Sequence, residues 1–258
     1  MKNEIQRSFD YGSKDYDKYN EIQKLSGKIL IDFLFFNLTK KKLEIYNKKK
    51  LTILDLGCGT GEFSKTIIKN FRVESIDLID LSSEMIKVSK SKIKNTSSNF
   101  FIEDFDSYKG YEKFDLIVSN MSLHWSLDID RLCRSIASAL KPGSIFIFSV
   151  PNSSSFMNIK NIFLTNNKDI PLNVLPSKNI LADFRNNNSF NFETQCFRLS
   201  KKFDNPLDFF LDLKKIGANV PTKIKPRNLF FLKKLKNINL EADYNISCFM
   251  IKKKNEEE

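Results

Sequence analysis

Between residues 15 and 37, Ile22, Leu25, Ile29, Phe33 and Phe36 recur at three- and four-residue spacing with charged positions between them. That period predicts a helix. The pattern then changes. Leu51-Thr52-Ile53-Leu54-Asp55-Leu56 is a near-continuous apolar run, which predicts a strand covered on both faces, as in a parallel sheet. A helix over 62–69, a strand over 72–78 and a helix over 83–92 capped by Ser82 follow. Short strands are predicted at 99–103 and 114–118. A helix over 129–140 is stopped by Lys141-Pro142-Gly143, and a fifth strand spans 144–150. Strands separated by helices in this order imply a doubly wound α/β sheet.

Beyond Pro151 the texture differs. Residues 152–191 are rich in Asn and Ser, with a helix predicted over 178–184. A strand is predicted over 192–203, then a helix over 206–216 that opens on Pro206. A second helix over 227–236 and a closing strand over 244–252 complete the reading, and no internal repeat is visible.

Composition narrows the class. The 258 residues include 24 Phe, enough for a sizeable core, and Lys+Arg exceed Asp+Glu by 42 − 31 = 11. So basic a balance favours an acidic partner without naming it. A single His, at 124, excludes a multi-histidine metal site, and no metal is expected. The four Cys (58, 133, 196, 248) form no C-x-x-C pair, so free thiols in a reducing cytoplasm are expected. The first residues lack the apolar core of a leader, and the run Ile29–Phe36 contains Asp32 and is too short for a bilayer. A cytoplasmic monomer without a membrane role is the expectation.

The run that carries chemistry is Asp55-Leu56-Gly57-Cys58-Gly59-Thr60-Gly61, between a strand and a helix. Glycines there let a ligand approach the backbone closely. The spacing is G-x-G-x-G, not the dinucleotide G-x-G-x-x-G, and no Gly-Lys-Ser/Thr follows, which excludes a P-loop. Asp80 ends the second strand, where a carboxylate accepts both hydroxyls of a ribose. Asp104 ends the third, within reach of an adenine amino group.

With these residues the chain resembles the class I S-adenosylmethionine-dependent methyltransferases. Residues 55–61 look like their first motif, Asp80-Leu81-Ser82 like their ribose motif, Glu103-Asp104-Phe105 like their adenine segment, and Phe114 to Asn120 like their fourth strand. The resemblance implies S-adenosyl-L-methionine as cofactor and a Rossmann-like seven-stranded sheet. That sheet is mostly parallel with the last strand antiparallel, and has helices on both faces. Residues 1–50 would form an N-terminal helical cap. Residues 51–258 would form the methyltransferase domain, with substrate-side helical insertions around 152–190 and 204–240. Cofactor contacts are expected from Asp55, Gly57, Gly59, Gly61, Asp80, Leu81, Asp104, Phe105, Asn120 and Tyr16.

A narrower resemblance, to the malonyl-acyl carrier protein O-methyltransferases of biotin biosynthesis, lies outside that core. It rests on Phe9-Asp10-Tyr11 with Tyr16-Asp17 and Gln23, on Ser119 to Trp125, and on Leu213-Lys214-Lys215-Ile216-Gly217-Ala218-Asn219. That family usually has Gln where this chain has His124. The resemblance implies methylation of a malonyl carboxylate, with no general base. Tyr11, Trp125, Lys214 and Lys215 are the substrate-side candidates, with Arg185 a further one for the malonyl carboxylate. The stretch from Lys214 to Lys236 is basic and holds no acid, which suits docking of acidic acyl carrier protein. Three alternatives stay open: methylation of another small carboxylic acid, methylation of RNA, and a protein-modifying assembly factor on the same scaffold. RNA is disfavoured because Asn120 is followed by Met121-Ser122 and not by proline.

Overall fold

Strand β1 (Leu51–Leu56) is an interior strand of a seven-stranded sheet. The computed structural model describes residues 1–38, 46, 48–94, 97–220 and 229–254. The other strands are β2 (Val73–Asp80), β3 (Ser98–Ile102), β4 (Leu116–Asn120), β5 (Ile145–Pro151), β6 (Phe190–Phe203) and β7 (Leu240–Lys253), in the spatial order β3-β2-β1-β4-β5-β7-β6. The first five are mutually parallel, and β7 runs antiparallel to both β5 and β6. This is the sheet implied by the sequence, closing antiparallel strand included.

The helices of the described residues are α1 (Lys2–Gly12), α2 (Tyr16–Tyr19), α3 (Glu21–Asn37), α4 (Glu62–Asn70), α5 (Ser83–Lys92), α6 (Ile129–Ala139), α7 (Met157–Thr165) and α8 (Pro206–Lys215). The central strands are buried on both faces, so each face needs its own cover. Ile53, Leu116 and Ile145 point to one side, with Leu30 and Leu34 of α3 and Ile67 of α4. Leu54, Ile117 and Phe146 point to the other, against Leu132, Cys133 and Ile136 of α6. Much of the phenylalanine sits on that second face. Phe146 and Phe148 stack at 4.8 Å, and Phe148 stacks at 4.9 Å on Phe249, its register partner across β5 and β7. Each such ring, fully buried, stabilises the fold by about 1.5–3 kcal/mol. The outer strand β6 carries Glu193, Arg198, Lys201 and Lys202, charges that discourage edge pairing with another chain.

Three local expectations are corrected. The helix predicted over 15–37 is interrupted at Asn20, so α2 and α3 are separate. The helix predicted over 178–184 is a short 3-10 turn, Ala182–Asn186, because Leu181 adopts the left-handed region at φ 60° and breaks the run. A helix does form upstream, at Met157–Thr165, held by burial of Ile159 and Phe163 despite weak local propensity. Of the helix predicted over 227–236, Leu229–Leu235 is a 3-10 segment. Residues 221–228, with Lys223, Lys225 and Arg227, lie outside the described residues.

The chain's start and its late motif meet. Gly217 follows α8 with φ 77°, and a Cβ there would stand 2.7 Å from the Ser8 carbonyl and 2.8 Å from the Phe9 Cα. A Cβ on Gly12 would stand 2.5 Å from the Gly217 nitrogen. Two glycines therefore let α1 lie directly on the end of α8. Gly217→Ala combines a forbidden φ with backbone overlap. We expect it to cost about 2 kcal/mol or more, lowering the melting temperature by roughly 5 °C. An unchanged melting curve would show that this contact is not needed.

Candidate active site

The carboxyl ends of β1, β2 and β4 open onto one cleft, at the point where strand order reverses between β1 and β4. Three of the turn's glycines take positive φ: Gly57 at 70°, Gly59 at 55° and Gly61 at 76°. At Gly57 the reason is contact, since a Cβ would lie 2.5 Å from the Ser122 Cβ. At Gly59 a Cβ would meet nothing within 4 Å, so the backbone there faces the open cleft. Gly61 caps α4 and turns away from the cavities.

Asp80 fixes this turn. One carboxylate oxygen accepts the Gly59 N–H at 2.8 Å and the other accepts the Ser82 N–H at 2.8 Å. Desolvation pushes its carboxyl up to about 6, with Asp10 adding to the rise and the two N–H bonds opposing it. Asp55 is buried behind the turn. Desolvation pushes it up to about 7, partly offset by the Ser64 hydroxyl, which donates to it at 2.5 Å, and reinforced by the charge of Asp80.

The N-terminal helices roof the cleft and are tied to it by side chains. Asp10 accepts from the Ser82 hydroxyl at 2.6 Å, at the N-terminus of α5. Asp17 accepts from Thr60 at 2.7 Å and pairs with Lys92 at 2.5 Å. Lys2 pairs with Asp104 at 2.9 Å and Asp106 at 2.7 Å, and lies 4.8 Å from the centre of the Phe105 ring. Asn120 donates to the Gln23 carbonyl at 2.9 Å and accepts from Ser149 at 2.8 Å.

Under this roof lie two cavities that share Tyr16, Gly57, Gly59 and Asn120. The larger, about 280 Å³, is lined by Asp55, Asn20, Gln23 and Phe63. The smaller, about 60 Å³, is lined by Asp80, Leu81, Asp104, Phe105 and Trp125. Asn20 Oδ1 and Gln23 Oε1 are buried acceptors with no partner among the described residues. Two orphaned carbonyl oxygens beside an open glycine backbone fit a ligand with an ammonium group. The carboxylate of Asp80 beside Phe105 and Leu81 fits a nucleoside. A third cavity, of about 70 Å³ and largely apolar, adjoins these past Tyr16, Met121 and Trp125, with His124 in its wall. A groove of about 260 Å³ beside α8 shares Leu172, Asn173, Leu213 and Ala218 with it.

Not every expected residue comes to the cleft. Tyr11 is 70% exposed and lines none of these cavities. Lys214 lines the outer groove, Lys215 places its ammonium 4.1 Å from the centre of the Tyr19 ring, and Arg185 is exposed away from all four cavities. Trp125 is buried between the second and third cavities, its ring edge-on to Phe9 at 5.4 Å. Asn20, Phe63 and Lys2 also line these cavities, though no motif in the sequence marks them. The acidic pair Asp10 and Asp17 was visible there, but not what it grips.

A doubly wound sheet with a glycine turn and a strand-end carboxylate at its switch point defines the Rossmann-like methyltransferase class. The family described as "Methyltransferase domain" matches residues 28–201. "Malonyl-[acyl-carrier protein] O-methyltransferase 1" of Ilyobacter polytropus is 30% identical over 223 residues, covering 84% of this chain and 78% of that protein. "Malonyl-[acyl-carrier protein] O-methyltransferase 2" of Coxiella burnetii is 29% identical, covering 98% and 97%. Among solved structures, the plantazolicin methyltransferase BpumL in complex with SAH superposes with a TM-score of 0.54 at 14% identity, covering 97% of this chain and 96% of that one, a likeness of fold. The chain belongs to the methyltransferase-domain family and, within it, to the family whose curated members are the malonyl-[acyl-carrier protein] O-methyltransferases. No helix of the described residues is long and apolar enough to cross a membrane, and they hold no cluster suited to a metal ion.

The raised carboxyl of Asp55 has a measurable signature. In the fold it keeps its proton up to about pH 7, whereas in the unfolded chain it loses it near 3.8. Folding stability from this group is therefore full below pH 3.8, falls as pH rises towards 7 and is level above that. We expect Asp55→Asn to flatten the decline of thermal stability between pH 4 and 7. Equal slopes for wild type and variant would contradict the buried, protonated carboxyl.

Proposed function

We propose that this methyltransferase uses S-adenosyl-L-methionine to methylate the free carboxylate of a malonyl thioester carried on acyl carrier protein. The observation that carries this reading is the succession of cavities. The donor cleft meets a small apolar chamber, and that chamber meets an open groove on the surface through shared walls. A path of that form suits a small acyl group delivered on a long thin arm, the geometry of a carrier-protein substrate. The names of the relatives agree with it.

When bound, S-adenosylmethionine supplies an electrophilic methyl on a sulfonium. In this reading Asp80 accepts the ribose hydroxyls with the lone pairs that Gly59 and Ser82 leave unused. Phe105 and Leu81 cover the base, with Asp104 held beside it by Lys2. Asn20 and Gln23 accept from the donor's ammonium, while Gly57 and Gly59 allow its chain to pass. The N-terminal helices act as a cap that excludes water, which strengthens each of these polar contacts.

The acceptor needs no base. A carboxylate is ionised at neutral pH and offers a lone pair directly, so alignment and dehydration suffice. His124 suits that absence. Desolvation pushes its imidazole down to about 3, which makes it a poor proton acceptor near pH 7.

The test offers malonyl-carrier protein, malonyl-CoA and RNA side by side with labelled donor. We expect a base-labile methyl ester on the malonyl thioesters, carrier protein preferred, and none on RNA. Methylated RNA with unmodified thioesters would overturn the reading. The basic face offers a second test. Lys233, Lys234 and Lys236 are exposed. Reversing all three to Glu should raise KM for malonyl-carrier protein severalfold, leave malonyl-CoA nearly unaffected, and matter less in high salt. Equal losses on both substrates would assign the segment to the fold.

A further inference from the structure

The third cavity is unusual for a chamber meant to receive an anion. Among the described residues that line it there is no Lys, Arg, Asp or Glu. Its polar groups are Tyr16, Gln23, His124, Asn173, Tyr244 and the indole N–H of Trp125, set among aromatic and aliphatic walls. The Nδ1 of His124 is buried with no hydrogen-bond partner among the described residues. A buried imidazole nitrogen left unmatched is costly unless a ligand completes it. The indole of Trp125 lies against the same ring, centroids 5.1 Å apart, and limits how it can turn.

Building on the proposed function, we propose that His124, with Tyr244 as a second donor, forms the recognition site for the acceptor's carboxylate. The neutral imidazole donates a ring N–H to one carboxylate oxygen, and the phenol donates its O–H. Before an acceptor arrives both side chains are neutral at physiological pH, because burial pushes the imidazole down and the Tyr244 phenol up. The titratable groups facing the chamber are these two and Tyr16, whose phenol is also pushed up by burial.

The chemical consequence is specific. A lysine or arginine in this position would hold the carboxylate tightly but engage the lone pair that must attack. Neutral donors select a carboxylate over an apolar acyl end while leaving it nucleophilic in a dry environment. No proton moves at His124: the carboxylate oxygen forms a bond to the methyl, the methyl–sulfur bond breaks, and its electron pair stays on sulfur.

Two substitutions separate this role from its competitors. His124→Leu removes the donor but keeps an apolar filler. His124→Gln supplies an amide donor that cannot serve as a base. We expect the Leu variant to raise KM for malonyl thioester about tenfold, with a smaller change in kcat and unchanged donor affinity by calorimetry. The Gln variant should lie within about twofold of wild type, and kcat/KM should show no ionisation of His124 between pH 5.5 and 8. Tyr244→Phe should raise KM in the same direction.

A Leu variant that matches wild type on an active enzyme would overturn the inference while leaving the function standing. A Gln variant as impaired as Leu, with a pH step lost from the profile, would overturn it in favour of a proton-transferring histidine. Loss of donor binding in both variants would assign His124 to the fold. A wild-type protein that methylates no malonyl thioester would remove the functional reading and this inference with it.

Discussion

The site depends on one constraint: the chain must turn from the buried strand β1 into α4 in very little space, leaving backbone exposed to a ligand. The turn is held in two ways. Left-handed backbone at Gly57, Gly59 and Gly61 sets its path, and the carboxylate of Asp80 grips the Gly59 N–H from the neighbouring strand. Because β1 and β2 are in parallel register up to Leu56 and Ile79, Asp80 arrives beside the turn automatically. A side chain at Gly57 would strike Ser122, so the segment after β4 is fixed by the same constraint. Turn, carboxylate and β4 segment thus form one unit, and the rest of the site is built against it.

The N-terminal helices are built onto this unit through acids. Asp10 reaches Ser82, Asp17 reaches Thr60 and Lys92, and the reverse pair runs from Lys2 to Asp104 and Asp106. These contacts are partly exposed, so each adds little to stability by itself. Together they set where the roof sits, and so where Asn20, Gln23 and Tyr16 face. At the other end, the glycine pair Gly12 and Gly217 seats α1 on the end of α8. The sheet, the roof and α8 are therefore one mechanical assembly around the chamber that holds His124.

The legible parts of the sequence were those where local pattern and burial agree. Residues 51–56 and 144–150 read as strands because both faces are covered, which leaves unbroken apolar runs. Asp80 was legible because a carboxylate at a strand end beside a glycine turn has a known geometry. The region 152–191 was not, because its helix at Met157–Thr165 depends on burying Ile159 and Phe163, not on propensity. Tyr11 shared a motif with Phe9, but residues two apart on a helix point to nearly opposite sides. Phe9 lines the cavities and Tyr11 faces solvent. Asn20 was hidden for another reason: its value comes from the break between α2 and α3, which leaves its side-chain oxygen unpaired at the cleft.

The central claim is that the cleft closed by the glycine turn and Asp80 holds the methyl donor. Calorimetry of S-adenosylmethionine binding to wild type and to Asp80→Ala tests it most directly. The account predicts that the folded variant loses about 2–3 kcal/mol of binding, since a charged acceptor is removed from two hydroxyls. An unchanged affinity in a variant with native secondary structure and melting behaviour would contradict it.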